Sequence, residues 1–220
     1  MQNYISFPRP LISSFYRTPI LKFLHYCEDV KNMPKRVLDC GGGGKLPPIS
    51  FFSSLGYTCS AIDIDKKQLE RAQAFCDEYN LKVSFERADM RRLPYPNSIF
   101  SFVFSFNTIF HMRKEDIYKS ISEMARVTAP GGLIYFNLLS TEDSFFGEGK
   151  QIGPGEFEQE EHDGSVIHSY FEKEECDHIL SVFELVCKDE RKSTIVYDGE
   201  PFVRGDIDYY LRIPMVSGDM

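Results

Sequence analysis

Short apolar runs separated by amphipathic stretches follow one another through the first two thirds of the chain. The runs RVLDC, YTCSAIDID, KVSFERAD and IFSFVFSF are each predicted to be a strand. The last run has almost no polar alternation, which is typical of a strand covered on both faces. Between the strands, apolar residues such as Leu69, Ala72 and Cys76 recur at helical spacing. This alternation predicts right-handed βαβ units and a doubly wound, mostly parallel sheet.

Proline and glycine mark the expected ends of several elements. Pro47 and Pro48 precede a short apolar stretch and Gly56 follows it, which is the arrangement expected at the two ends of a helix. Residues 10–31 also have roughly helical spacing, with an expected break at Pro19.

The last third of the chain has a different pattern. Residues 144–164 are rich in glycine and acidic side chains and are predicted to form a loop, followed by a helix over 172–183. Two further apolar runs, at 185–197 and 207–213, are predicted to be strands. Because the connection between them is short, we expect an antiparallel hairpin at one edge of the sheet.

Composition and charge restrict the class of partner. The 220 residues fit a single α/β domain, and the net charge of −8 argues against nucleic acid and anionic membranes. No apolar run approaches the roughly 18 residues of a membrane span, and the N-terminus lacks a signal-peptide pattern. The six cysteines show no zinc spacing, so we expect reduced thiols, no metal site and a cytoplasmic location.

Four consecutive glycines, Gly41 to Gly44, directly follow the first predicted strand. In open α/β sheets the ligand crevice lies outside the carboxyl ends of the strands. A loop without side chains allows a ligand to rest on the backbone, and we expect its N–H groups to face that ligand.

Two carboxylates next to this loop narrow the choice of ligand. Asp63 ends the second strand, about twenty residues after the glycines, where a carboxylate can accept hydrogen bonds from both hydroxyls of a ribose. The glycine spacing is not G-x-G-x-x-G. Asp39, just before the glycines, disfavours a pyrophosphate and favours an ammonium or sulfonium group. Asp39, Asp63 and Asp65 can each, alternatively, serve only as a cap of a helix or loop.

Five motifs in chain order resemble those of class I S-adenosylmethionine-dependent methyltransferases, of the group with small-molecule and ubiquinone/menaquinone members. The motifs are the sequence VLD with Gly41 and Gly43, then Asp63, the pair Ala88-Asp89, the segment IFSFVFSFNTIFHM and the segment EMARVTAPGGLIYF. The chain departs from the family pattern at Lys45, where a third glycine is usual, and at Ser101, where an aspartate is usual. Pro47 and Pro48 replace small residues before the first helix.

The resemblance implies a Rossmann-like, doubly wound, mostly parallel seven-stranded sheet with an antiparallel C-terminal hairpin, in one domain over residues 1–220. It divides the domain into an N-terminal helical or lid segment (1–33), a cofactor-binding half (34–141) and an acceptor-side loop and hairpin (142–220). The implied cofactor is S-adenosylmethionine, with S-adenosylhomocysteine as product. The implied cofactor-binding residues are Asp39, Gly41, Gly42 and Gly43 for the methionine part, Asp63 and Ile64 for the ribose, Asp89 and Met90 for the adenine, and Ser105 and Phe106 beside the methionine.

The acceptor side offers one candidate catalytic residue. His111 lies just after the fourth strand and can act as a general base if the acceptor holds its proton tightly, or it can be an ordinary loop histidine. His168 and Tyr170 are second candidates. Aromatic residues can form an apolar lid or belong to the core: Tyr4, Phe7, Phe15, Tyr16, Phe110, Phe145, Phe146 and Phe157. The stretch EFEQEEHD can attract a cationic acceptor or be a solvated face.

The sequence therefore predicts a methyltransferase that acts on a small or medium organic acceptor, as a monomer or homodimer. An NAD-type oxidoreductase and a non-catalytic S-adenosylmethionine-binding module are the alternatives. Methylation of a nucleic-acid base is disfavoured, because the segment NTIF lacks the two prolines that such enzymes carry after the fourth strand.

Overall fold

The structure is a computed structural model that describes residues 18–161, 164–197 and 199–215. The expectations for residues 1–17, including the lid aromatics Tyr4, Phe7, Phe15 and Tyr16, lie outside these ranges. The helices are α1 (Thr18–Asp29), α2 (Ile49–Ser54), α3 (Lys66–Glu78), α4 (Lys114–Val127) and α5 (Asp177–Leu180). The strands are β1 (Arg36–Cys40), β2 (Thr58–Asp63), β3 (Val83–Arg87), β4 (Phe100–Ser105), β5 (Thr128–Ser140), β6 (Lys150–Gly153), β7 (Glu156–Glu161), β8 (Gly164–Phe171), β9 (Glu184–Tyr197) and β10 (Glu200–Arg212).

The centre of the sheet is parallel, as predicted, and its strands lie in the order β3-β2-β1-β4-β5. All six residues of β4 are buried, which agrees with its uninterrupted apolar sequence. Successive residues of β1 face opposite sides: Val37 packs in one apolar cluster with α1 and α2, and Leu38 in another with α4. The sheet is therefore covered on both faces, and the prediction of a doubly wound fold is confirmed.

The predicted C-terminal hairpin is also confirmed. β10 pairs antiparallel with β5 on one side and with β9 on the other, so β9 forms the edge. These two strands and the five parallel ones make the expected seven-stranded core.

Two further strands, β6 and β7, stand where the sequence predicts a loop, and a third, β8, follows them. β6, β7 and β8 form an antiparallel sheet, and the end of β8 pairs parallel with Leu139 and Ser140 of β5. That point lies beyond the last residue of β4, because Ser105 is paired with Phe136. The small sheet therefore stands at the carboxyl end of the parallel strands, and the prediction of a continuous loop over 144–164 was wrong.

One other prediction needs correction, and one is only partly covered by the described residues. Helix α1 begins at Thr18 with Pro19 in its first turn, where the missing N–H of proline leaves no hydrogen bond unmade; residues 10–17, on the other side of the expected break, lie outside the described ranges. The helix predicted over 172–183 is reduced to α5, since the preceding residues form turns. Asp65 caps α3 by accepting a hydrogen bond from the Lys67 N–H at 2.8 Å, as one of its alternatives predicted.

All six cysteines are free thiols. Among the described helices, none combines the length and the apolar character that a membrane crossing requires.

Candidate functional site

The four glycines form a tight loop between β1 and α2 whose N–H groups all bind acceptors within the protein. Gly41 and Gly42 donate to the Ile62 carbonyl at 2.8 and 2.9 Å, and Gly44 donates to the Gln68 carbonyl at 2.9 Å. Gly43 donates to Asp63 Oδ2 at 3.2 Å. The expectation that these N–H groups face a ligand was therefore wrong. Without free donors, the loop is not built as a pyrophosphate cradle.

The absence of side chains in the loop is required by the protein's own packing. A Cβ on Gly41 would lie 2.3 Å from Thr108 Cγ2, and a Cβ on Gly43 would lie 2.5 Å from Asp63 Oδ2. Gly41 also has a φ of +89°, which L side chains rarely adopt. The glycines allow Thr108 and Asp63 to approach the loop closely and to present their other sides to a ligand.

Asp63 lines a cavity of about 210 Å³, here called the Asp63 cavity, together with Gly41, Ile64, Asp89, Met90 and His111. Burial raises the pKa of Asp63, while the backbone N–H groups of Asp65 and Gly43 act in the opposite direction. A carboxylate has about four lone-pair positions, so Asp63 can accept further hydrogen bonds from a ligand.

The remaining walls of the Asp63 cavity suit a flat ring with a polar edge. Two apolar side chains line this cavity: Ile64, which is 64% exposed, and Met90, which is buried. Asp89 is held by Arg91, whose Nε lies 3.0 Å from both carboxylate oxygens, and these hydrogen bonds lower the pKa of Asp89. Asp89 is thus fixed as an anion at the cavity wall.

A second cavity of about 280 Å³, the Lys45 cavity, shares Gly41 and Thr108 with the first and therefore adjoins it. Lys45 is exposed at its edge and Phe106 is one of its walls. Three predicted residues stand behind these surfaces: Asp39 and Ser105 are almost fully buried, and Gly42 is buried against Ala61.

A third cavity of about 530 Å³, the Arg204 cavity, opens between the β6–β8 sheet and β10. Its lining includes Phe145, Glu161, His168, Tyr170 and Arg204. The sequence interpretation named three of these residues as candidates for the acceptor side, and the structure brings them together.

His111 and His168 separate the Asp63 cavity from the Arg204 cavity. His111 lines the former and His168 the latter, and their ring centroids are 4.6 Å apart. Burial, helped by His168 and Arg204, lowers the pKa of His111 to about 3. Burial also lowers the pKa of His168, although Glu161 opposes this shift. Both imidazoles are therefore neutral at pH 7, and His111 alone is a weak general base.

The sequence did not reveal Thr108 or Arg91. The contact of Thr108 with Gly41 spans 67 residues and has no local pattern. Arg91 could have been recognised from a local pattern, because an arginine two residues after a site aspartate can form an ion pair with that aspartate.

Residues 37–132 match the model of a family described as "Methyltransferase domain". Two curated relatives are similar over part of the chain. The 27-O-demethylrifamycin SV methyltransferase of Amycolatopsis mediterranei is 36% identical over 99 residues, which are 44% of this chain and 36% of the relative. The norajmaline N-methyltransferase of Rauvolfia serpentina is 33% identical over 118 residues, which are 52% of this chain and 39% of the relative. The matches thus span little more than a third of these relatives.

The fold is similar to that of solved structures over most of the chain. An S-adenosylmethionine-dependent methyltransferase from Methanosarcina mazei superposes with a TM-score of 0.70 at 17% identity, covering 88% of this chain and 97% of that one. At this identity the likeness concerns the fold. The small β6–β8 sheet lies outside the residues that the family model matches.

Proposed function

Since residues 37–132 belong to the methyltransferase-domain family and the fold is that of S-adenosylmethionine-dependent methyltransferases, we propose that the protein methylates a small or medium organic acceptor. One observation carries the proposal. Two cavities meet at Gly41 and Thr108, and the N–H groups of the glycine loop at this point donate to acceptors within the protein. A ligand at this loop meets carboxylates and carbonyl oxygens, which suit a cationic nucleoside. An NAD pyrophosphate needs N–H donors there, so the oxidoreductase alternative is disfavoured.

The Asp63 cavity takes the adenosine part in this proposal. Asp63 accepts hydrogen bonds from the ribose hydroxyls, and Asp89 accepts one from the adenine amino group. The exposed Ile64 and the buried Met90 cover the two faces of the ring, which removes apolar surface from water.

The Lys45 cavity takes the amino-acid part. Asp39, behind the loop, supplies negative charge toward the ammonium group, and Lys45 reaches the carboxylate. Phe106 forms the wall there, while Ser105 supports it from the buried end of β4. Gly41 and Gly43 leave this part of the loop without side chains, while Gly42 is buried behind it against Ala61.

S-adenosylmethionine supplies an activated methyl group for in-line displacement by a nucleophilic atom of the acceptor. The protein's own residues align the two partners and exclude water. We place the acceptor in the Arg204 cavity, whose aromatic and acidic lining suits an organic molecule with a polar or cationic group. His111, in the wall between the cavities, contacts the reacting atom and accepts its hydrogen bond.

The first test concerns the cofactor. We expect Asp63→Ala to weaken S-adenosylhomocysteine binding by about 1–3 kcal/mol, which is about 5-fold to 150-fold in affinity, because the ribose loses its acceptor. Isothermal titration calorimetry measures the affinity. Asp65→Ala is the matched control, since it removes a neighbouring carboxylate that caps α3 and does not line the cavity. Unchanged affinity in Asp63→Ala, or tighter binding of NAD than of S-adenosylhomocysteine, would contradict the proposal.

The second test separates an enzyme from a binding module. The protein is incubated with methyl-labelled S-adenosylmethionine and a pool of small metabolites, and labelled products are separated by chromatography. We expect a labelled small molecule that Asp63→Ala forms more slowly. Saturable cofactor binding without any labelled product would favour the non-catalytic module.

A further inference from the structure

Three side chains from separate elements meet in the wall between the Asp63 and Arg204 cavities. His111 follows β4, Glu161 ends β7 and His168 lies in β8. One ligand atom of each lies within 4.8 Å of the other two. Glu161 Oε1 is 3.3 Å from His168 Nε2. Two imidazoles and a carboxylate form the donor set that zinc and other first-row transition metals use in proteins.

The unused nitrogens of the two rings are a second, independent observation. His168 is only 8% exposed, yet its Nδ1 has no hydrogen-bond partner among the described residues. The same holds for Nδ1 of His111 within those ranges. A buried polar atom without a partner carries a desolvation cost, so each ring has a nitrogen that a ligand can still use.

We propose that His111, His168 and Glu161 bind one divalent first-row transition-metal ion, such as Zn²⁺. Magnesium and calcium prefer sets made entirely of oxygen, so the two imidazoles favour the transition metals. Three protein ligands leave a coordination position open. The ion would lie between the cofactor and acceptor cavities, because His111 lines one and the other two residues line the other.

At its open coordination position the ion can activate the acceptor, a role that rests on the proposed methyltransferase function. A hydroxyl group of the acceptor that binds there loses its proton to solvent more easily, because the metal lowers its pKa. Its oxygen then forms the bond to the methyl carbon while the carbon–sulfur bond breaks, and the sulfur keeps the electron pair as S-adenosylhomocysteine. In this arrangement His111 acts as a ligand of the metal and orients the acceptor through the ion, in place of a direct hydrogen bond to the reacting atom.

The test titrates the full chain with Zn²⁺, and separately with Co²⁺, by calorimetry, and follows the cobalt absorption spectrum for coordination by nitrogen. We expect one site per chain. His168→Ala and Glu161→Gln should each weaken the metal affinity of this site by at least about tenfold. His178→Ala, which removes an exposed histidine of α5, is the matched control and should leave it unchanged. Glu161 is half exposed, so Glu161→Gln keeps the test valid if His168→Ala fails to fold.

A wild-type chain without a saturable site, or equal affinity in Glu161→Gln and His178→Ala, would overturn the metal proposal. S-adenosylhomocysteine binding is measured on the same samples. If the chain binds S-adenosylhomocysteine but no metal, only the metal site is lost; if it binds the metal but no S-adenosylhomocysteine, the methyltransferase proposal fails instead.

Discussion

Gly41→Ala is expected to lower the free energy of unfolding by about 3 kcal/mol and to remove measurable S-adenosylhomocysteine binding. Two costs add. An alanine at a φ of +89° is strained by about 1–2 kcal/mol, and its Cβ would lie 2.3 Å from Thr108 Cγ2, an overlap that costs about 1–3 kcal/mol more. Relief of the overlap must move the loop or Thr108, and both line the two cavities. Urea unfolding measures the first effect and calorimetry the second.

Gly147→Ala provides the matched control for backbone strain. Gly147 has the same φ of +89°, but nothing lies within 4 Å of the position that its Cβ would take. We expect Gly147→Ala to lower the free energy of unfolding by about 1 kcal/mol and to leave the binding of S-adenosylhomocysteine unchanged. Thr108→Gly in the Gly41→Ala background should recover part of the lost stability, because it removes the atoms that overlap. Equal losses in Gly41→Ala and Gly147→Ala would show that the contact with Thr108 is unimportant.

The parallel core could be predicted because its strands are buried on both faces. Burial on two sides requires a continuous apolar sequence, and β4 has one. The same signal is weak in the β6–β8 sheet. In β6 and the outer half of β7 most side chains are exposed, and Gly149, Gly153 and Gly155 interrupt the alternation. Gly149 and Gly155 are required by close contacts with the backbone. A Cβ would lie 2.3 Å from the Glu158 carbonyl oxygen at the first and 2.6 Å from the Tyr170 carbonyl oxygen at the second, and only the folded chain reveals these contacts.

The sequence allowed residues of the candidate site to be predicted only where they end or directly follow a strand. Asp63 and Asp89 were found in this way, and both line the Asp63 cavity. The glycine loop lies directly after β1, as the sequence predicts, but its N–H groups donate to acceptors within the protein. Its lack of side chains serves contacts with Thr108, Asp63 and Gln68, which no local pattern reveals. The pairing of His111 with His168 depends on β8 reaching the end of β5, so it required the tertiary structure.

A network of buried polar groups joins the C-terminal hairpin to the site. Asp206 and Asp208 of β10 have almost no exposed surface, and Arg191 of β9 binds both, with its NH2 group 3.1 Å from Asp206 Oδ2. Asp206 also accepts a hydrogen bond from Asn137, whose Oδ1 accepts the Asn107 N–H at 2.8 Å. Asn107 lines the Lys45 cavity, so the network holds one wall of the site.

Arg191→Met is therefore expected to lower the free energy of unfolding by about 3 kcal/mol at neutral pH, because it leaves the buried Asp208 carboxylate without its cation, while Asp206 keeps its ion pair with Arg204. Burial raises the pKa of Asp208, and Arg191 and Tyr135 oppose this shift in the wild type. Without Arg191 the folded state binds a proton at Asp208 more tightly than the unfolded chain does. The free energy of unfolding of the variant should then rise toward that of the wild type as the pH falls from about 8 to about 5.

Urea unfolding across this pH range measures the effect, with Lys192→Met as the matched control. Lys192 is the next residue of β9 and is exposed, so its loss removes the same charge without uncovering a buried carboxylate. We expect that control to change the free energy of unfolding by less than about 0.5 kcal/mol. If Arg191→Met lowers the free energy of unfolding no more than the control does, or if its loss grows on acidification, Asp208 does not depend on Arg191 for its charge balance.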